Sequence, residues 1–162
     1  MIKYHLLFVC LGNICRSPSA EAVMKGMLLK KGREQHVICD SAGIIGFHSG
    51  ESADVRMQKH ALKRGYELTS LSRKVNSESD FDRFDMIIGM DDQNIKDLNR
   101  LARSEDDRKK IFRMTDFCTI FKNRHIPDPY CGGSEGFELV LDLLEDACGG
   151  LILHLEKESI SE

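Results

Sequence analysis

A short segment near the amino terminus, Cys10–Pro18, reads Cys-Leu-Gly-Asn-Ile-Cys-Arg-Ser-Pro and carries side chains that could do chemistry together. Gly12 and Asn13 tolerate left-handed backbone angles, which a tightly curled loop requires. Ser17 is a candidate helix cap, and Pro18 suits the first position of a helix. Because the start of a helix presents free N–H groups and the positive end of its dipole, the segment predicts an anion site.

Arg16 and Cys10 could act together on an anion held in this loop. The planar guanidinium of Arg16 matches two phosphate oxygens, and the N–H groups of a curled loop add further donors. The same positive field stabilises a thiolate, which makes Cys10 a candidate nucleophile. A cysteine that ends a buried strand is more often an ordinary core residue, so the spacing alone leaves both interpretations open.

The elements that must position this loop alternate between short apolar runs and amphipathic segments. Doubly buried strands alternating with helices predict an α/β fold with a four-stranded parallel sheet, Rossmann-like or flavodoxin-like, covered by helices on both faces. Ligands bind such sheets beyond the carboxyl ends of the strands, where the loop after the first strand lies. The predicted strands are Tyr4–Cys10, Val37–Ser41, Phe84–Met90 and Lys110–Met114, and the predicted helices are Ser17–Lys31, Ala53–Arg64, Asp91–Arg100 and Gly136–Leu155.

Length and composition exclude several classes of protein. The 162 residues suit a single domain spanning 1–162, and a net charge of −3 argues against a nucleic-acid surface. No run approaches the ~18 apolar residues of a membrane helix, and no export signal is recognised. The six cysteines contain no CxxC pair. We therefore expect reduced thiols in the cytoplasm and no zinc site.

The segment Val9–Pro18 resembles the signature of the low-molecular-weight protein tyrosine phosphatases. Three further segments resemble family motifs in the same order: Asp40–Gly43, Met90–Asn94 and Pro127–Tyr130. The resemblance covers nearly the whole chain. It implies a monomer that hydrolyses phosphotyrosine in proteins through a cysteinyl-phosphate intermediate, with neither a metal nor another cofactor.

The resemblance also implies a role for individual residues. Cys10 becomes the nucleophile, Arg16 binds the phosphate, and Asp128 is the general acid, although an Asp between two prolines is by itself typical of a turn. Ser17 would donate its hydroxyl to the Cys10 sulfur, and Cys15 would form a reversible disulfide with Cys10. The implied phosphate-binding residues are Leu11, Gly12, Asn13, Ile14, Cys15, Arg16 and Ser17; the pocket walls are Leu11, Phe47 and Tyr130; the supporting residues are Ser41, Ser70 and Asp91.

Two positions depart from the family pattern. Ser70 stands where the family often has a histidine that supports the loop asparagine. A serine hydroxyl could bond to Asn13 in its place, but it is shorter, so we expect a somewhat looser loop. Cys131 stands where a second aromatic wall residue is frequent, which puts the substrate preference in doubt.

Two alternative functions are weighed against the phosphatase. A thioredoxin-coupled arsenate reductase on this scaffold needs two further cysteines, but none lies between Cys39 and Cys118. A non-catalytic phosphotyrosine-binding module would tolerate the loss of a catalytic group, yet Cys10, Arg16 and Asp128 are all present.

Overall fold

A parallel sheet in the strand order β2-β1-β3-β4 forms the centre of the computed structural model, which describes residues 2–130 and 132–161. The chain forms β1 and β2 on one side, then crosses to the other side for β3 and β4, so the order reverses beside β1. The elements are β1 Tyr4–Cys10, α1 Arg16–Lys30, β2 Val37–Gly43, α2 Val55–Lys63, α3 Asp80–Arg83, β3 Met86–Gly89, α4 Asp92–Leu101, α5 Glu105–Arg108, β4 Ile111–Arg113, a 3-10 helix Met114–Phe117 and α6 Ser134–Ser161.

The side chains of β1 alternate between two hydrophobic layers. Leu6 and Phe8 pack in the layer that holds the apolar faces of α1 and α6. Leu7 and Val9 point into the opposite layer, which includes residues of α3 and α4. All four side chains are fully buried, which explains why the strand is apolar without alternation. The predicted α/β fold with a four-stranded parallel sheet covered on both faces is confirmed.

Local signals fix the ends of several helices. Gly32 and Gly65 follow α1 and α2 with φ of 67° and 87°, the left-handed conformation that glycine adopts most readily after a helix. Asp54 caps α2 by accepting from two main-chain N–H groups. Asp91 caps α4 in a reciprocal capping box with Asn94. The predicted ends of α1 and α2, Lys31 and Arg64, lie one residue beyond the observed ends, Lys30 and Lys63.

The structure differs from the predicted elements mainly at their ends. β2 continues to Gly43, α1 begins at Arg16, and α6 runs from Ser134 to Ser161, beyond both predicted limits. The short helices α3 and α5 and the 3-10 helix were not predicted, because one turn is too short to show a helical period. No helix among the described residues is long and apolar enough to cross a membrane.

Candidate active site

The loop between β1 and α1 holds its carbonyl groups outward. Main-chain N–H groups of Ile44 and Ile45 donate to Cys10 O and Leu11 O, each at 3.0 Å. Ser72 Oγ donates to Gly12 O at 3.1 Å, and Asp54 N donates to Ile14 O at 2.8 Å. Gly43 permits the close approach of β2, because a Cβ there would lie 2.9 Å from Leu11 O. The surrounding segments thus fix the curvature of the loop.

The N–H groups of the same loop remain available. Within the described residues, the main-chain N–H groups of residues 11–17 donate to no protein acceptor. Asn13 has a φ of 57°, the left-handed angle predicted for it, which turns the loop. No side chain caps α1 at its start. Unengaged N–H groups together with the positive end of the α1 dipole make a site for an anion.

Ser17 and Asn13 connect the thiol to the loop. Asn13 Nδ2 donates to Ser17 Oγ at 2.7 Å, and Asn13 Oδ1 accepts from Arg73 N at 3.0 Å. Ser17 Oγ lies 3.1 Å from Cys10 Sγ, a hydrogen-bond contact. The prediction that Ser17 caps α1 and that Pro18 opens it is wrong. Because α1 begins at Arg16, both residues lie inside its first turn, and the Ser17 hydroxyl points at the thiol.

Arg16 is almost fully buried, and two protein oxygens hold one edge of its guanidinium. Nη1 donates to Asp91 Oδ2 at 2.6 Å and to Ile126 O at 3.1 Å. Burial opposes the charge on Arg16, but Cys10 and Asp91 outweigh burial and raise the pKa of the guanidinium. Nη2 lies 3.8 Å from Asp128 Oδ2. The structure therefore fixes a charged group between the loop and Asp128.

A cavity of about 190 Å³ brings most of the predicted site residues together. Asp128 and Tyr130, which are both half-exposed, line it together with residues of the loop. The Asp128 side chain is 49% exposed, and its Oδ1 accepts from Tyr130 N at 3.1 Å. The cavity is lined by Cys10, Leu11, Gly12, Ile14, Cys15, Arg16, Ile45, His48, Asp128 and Tyr130. A thiol, a guanidinium and a carboxyl group thus converge on one anion-sized space.

Phe47 is not a wall of this cavity, contrary to the prediction. Its side chain points outward and is 81% exposed. The neighbouring His48 lines the cavity instead, held by Glu51 Oε2 at 2.7 Å from Nδ1. The Phe47 ring packs edge-on against His48, with 4.9 Å between the ring centroids. Both residues lie in a turned segment, where Ser49 N donates to Gly46 O at 3.1 Å and Glu51 N to His48 O at 2.9 Å, and only the second of the two side chains reaches the cavity.

Ser70 does not bond to Asn13, which corrects a second prediction. In the described segment around Ser70, the Ser72 hydroxyl donates to Gly12 O and Arg73 N donates to Asn13 Oδ1 instead. Ser41, predicted as a supporting residue, lies behind the loop and donates to Glu21 Oε1 at 2.7 Å. This bond joins β2 to α1 and does not touch the cavity.

Cys15 lies on the loop as a second buried thiol and lines the cavity. Burial and the nearby Asp54 carboxylate raise the pKa of the Cys15 thiol well above its usual range. Cys15 is therefore protonated at neutral pH and does not compete with Cys10 for an electrophile. Cys131 lies outside the described residues.

The geometry agrees with comparisons to known proteins. The family model for low molecular weight phosphotyrosine protein phosphatases matches residues 5–161 of the chain. The chain belongs to this family. A putative low molecular weight protein-tyrosine-phosphatase of Synechocystis is 44% identical, over 96% of this chain and 99% of its own length.

Solved structures agree with this assignment to the phosphatase family. A crystal structure of a protein tyrosine phosphatase from Entamoeba histolytica, with Hepes in its active site, has a TM-score of 0.93 and 50% identity, and the match covers 97% of this chain and 99% of that one. The crystal structure of YfkJ from Bacillus subtilis has a TM-score of 0.89 and 37% identity, over 98% of each chain. The chain is thus a cysteine-dependent protein tyrosine phosphatase, whose substrates are phosphoproteins. The comparisons favour neither the arsenate reductase nor the non-catalytic binding module.

Proposed function

We propose that Cys10, Arg16 and Asp128 carry the reaction of this phosphatase and that residues 11–17 bind the phosphate. The observation that supports this most strongly is the set of unengaged N–H groups of residues 11–17 around the Cys10 thiol. Such groups cost no reorganisation when a phosphate arrives, because the loop carbonyls are already held outward. The whole chain, 1–162, forms the phosphatase domain in this proposal.

The first step forms a covalent intermediate. Cys10 Sγ attacks phosphorus, the bond from phosphorus to the phenolic oxygen breaks, and Asp128 gives its proton to that oxygen. Asp128 suits this role because its half-exposed side chain lines the same cavity as Cys10, with Oδ2 3.8 Å from Arg16 Nη2. The product of this step is a cysteinyl-phosphate and a free phenol.

The second step regenerates the enzyme. A water molecule attacks phosphorus while Asp128 takes up its proton, and the bond between sulfur and phosphorus breaks. Ser17 Oγ, 3.1 Å from Cys10 Sγ, donates a hydrogen bond to the departing thiolate. The Arg16 guanidinium and the loop N–H groups neutralise the charge that develops on the phosphoryl oxygens, so the proposal needs no metal.

The walls of the cavity favour a phosphotyrosine side chain in a protein substrate. Leu11, Ile45 and Tyr130 supply apolar surface around the phosphate site, and Tyr130 is 46% exposed at the rim. An aromatic ring packs well against such surface. His48 adds a polar group that the sequence did not indicate.

We further propose that the protein is a monomer and that it works in the cytoplasm. The chemistry of Cys10 requires a reduced thiol, and the cytoplasm is a reducing compartment. Cys15, on the same loop and protonated, is the proposed partner of Cys10 in a reversible disulfide. Such a disulfide would protect an oxidised Cys10 from irreversible oxidation.

The roles are tested by hydrolysis of para-nitrophenyl phosphate and of a phosphotyrosine peptide, with EDTA present, from pH 4.5 to 8. Activity should disappear in Cys10→Ser and fall about 10²–10⁴-fold in Asp128→Asn, the usual weight of a general acid. Asp106→Asn is the matched control, since Asp106 is exposed on α5. A fully reduced wild type without turnover would contradict the proposal.

A further inference from the structure

The loop that carries Asp128 is firmly attached on its upstream side. Ile126 N donates to Met90 O at 2.9 Å, and Ile126 O accepts from Arg16 Nη1 at 3.1 Å. Thr115 Oγ1 donates to Arg124 O at 2.6 Å. The chain therefore enters the loop at a fixed point beside β3.

The downstream side of the loop has far fewer attachments. Tyr130 N donates to Asp128 Oδ1, and Gly132 N donates to Pro129 O, but both bonds lie within the loop. Among the described residues of 127–133, one hydrogen bond comes from outside the loop and α6. Arg56 Nη2 donates it to Tyr130 O at 2.7 Å.

Arg56 is itself held in place from two directions. Asp54 accepts from its Nε at 3.3 Å and from its Nη2 at 3.0 Å. The guanidinium carbon also lies 5.0 Å from the centroid of the Phe137 ring and 5.7 Å from that of Tyr130. A planar guanidinium held in this way presents its remaining donors in a fixed direction.

Asp54 links this arrangement to the phosphate-binding loop, because its main-chain N–H donates to Ile14 O at 2.8 Å. A continuous series of contacts thus runs from Ile14 through Asp54 and Arg56 to the Tyr130 carbonyl, two residues from Asp128. Arg16 touches Asp128 only at 3.8 Å, and half of the Asp128 side chain is exposed. Among the described residues outside the loop and α6, Arg56 is thus the hydrogen-bond donor that holds the downstream half of the loop.

We propose that Arg56 is a positioning residue that sets the distance between Asp128 and the phosphate-binding loop. The inference rests on the proposed function, since it acts through Asp128 as the general acid. An acid must lie within hydrogen-bond reach of the leaving oxygen, and a displacement near 1 Å costs about 10²-fold in rate.

The test compares Arg56→Met with Lys59→Met across a series of aryl phosphates with increasingly basic phenols. Methionine keeps apolar contact with Phe137 but removes the bonds to Asp54 and Tyr130. Lys59 is an exposed cation on the same helix and serves as the matched control. Because kcat/KM includes the step in which phenol departs, loss of the acid should matter most for basic leaving groups. We expect kcat/KM of Arg56→Met to fall about 10–100-fold for phenyl phosphate and much less for para-nitrophenyl phosphate.

A double substitution separates positioning from general damage. In the Asp128→Asn background, Arg56→Met should cause no further loss, because the acid through which it acts is already absent. Inhibition by inorganic phosphate should be unchanged, since the phosphate-binding loop keeps its other contacts. Arg56→Lys, which retains one donor and the charge, should recover part of the activity.

Three results would overturn the inference: an equal loss for all leaving groups, a full additional loss in Asp128→Asn, or weaker phosphate inhibition. Circular dichroism and thermal unfolding check that each variant folds; if Arg56→Met does not, Arg56→Lys takes the same measurements. An inactive wild type refutes the proposed function itself. An active wild type in which Arg56→Met behaves like Lys59→Met refutes only the role of Arg56.

Discussion

Ser17 makes a side-chain hydrogen-bond contact with the proposed nucleophile, Cys10. Its oxygen accepts from Asn13 Nδ2 at 2.7 Å, and it lies 3.1 Å from Cys10 Sγ and 3.4 Å from Ala42 O. A hydrogen bond to a charged sulfur is worth about 1.5–3 kcal/mol, more than a bond between neutral groups. In the proposed mechanism, this bond stabilises the sulfur when it leaves phosphorus.

Ser17→Ala should therefore lower kcat for para-nitrophenyl phosphate by roughly 10–100-fold, the equivalent of that bond. The slow step should become breakdown of the cysteinyl-phosphate, which rapid quenching and mass measurement would detect as accumulated intermediate. Ser19→Ala is the matched control, because Ser19 is equally buried on α1 but donates to Cys15 O at 2.6 Å. Equal losses in the two variants would show that Ser17 acts only through packing.

Local constraints explain which site residues the sequence predicted. The left-handed Asn13, the anion site and the convergence of Cys10 and Arg16 follow from one continuous segment and its position after β1. Two contacts of the loop were assigned to the wrong residue. The cavity wall is His48 and not Phe47, and the serine that bonds to the loop is Ser72 and not Ser70, because both depend on how distant segments lie against the loop. One sequence does not determine such offsets, because shifting a segment by one or two residues leaves its composition unchanged. The contact of Arg56 with Asp54, a helix cap two residues earlier, is local and could be predicted from the sequence. Its hydrogen bond to Tyr130 O joins residues that are far apart in the chain and could not.

Among the elements, α6 and the 3-10 helix pack closely together at Gly150. A Cβ at this position would lie 1.7 Å from Phe117 O in the 3-10 helix, whereas a Cβ at Gly149 would meet nothing within 4 Å. Two adjacent glycines in one helix thus have opposite surroundings. The helix was predicted from its apolar period, but the need for a small residue at one of these two positions was not.

Gly150→Ala should lower the free energy of unfolding by about 1–3 kcal/mol or more, since the main chain of Phe117 cannot rotate away as a side chain does. Gly149→Ala should raise it by about 0.5–1 kcal/mol through the better helix propensity of alanine. Urea denaturation of both variants measures these changes. Destabilisation of similar size at both positions would contradict the close packing of α6 at Gly150.

For the molecule as a whole, hydrogen-bonded carboxylates make stability depend on pH. Burial opposes ionisation of Asp146, but N–H groups of Phe121, Thr119 and Ile120 outweigh it and lower the pKa of the carboxyl. A hydrogen bond from Arg103 lowers the pKa of Asp107 to about 2. The folded chain therefore binds fewer protons than the unfolded chain in acid.

The free energy of unfolding should consequently be constant near neutral pH and fall as pH drops from about 4 towards 2, where the unfolded carboxylates with a pKa near 3.9 are protonated first. Asp146→Asn should lower stability at pH 7 by about 1–3 kcal/mol, because one acceptor oxygen is lost. The difference from wild type should shrink in acid. Urea denaturation between pH 7 and 2.5 measures it, with Asp106→Asn as the control; a difference that is constant with pH would contradict this account.

The central position of β1 has a consequence for how the site forms in time. Its neighbours come from distant parts of the chain: His5 N donates to Asp85 Oδ2, 80 residues away, and Leu6 pairs with Met86 of β3. Contacts so far apart in sequence require large loops to close, which slows folding and places it after local helix formation. A refolding chain therefore recovers its helices first, and the thiol at the end of β1 becomes reactive only when the long-range pairing of the sheet is complete.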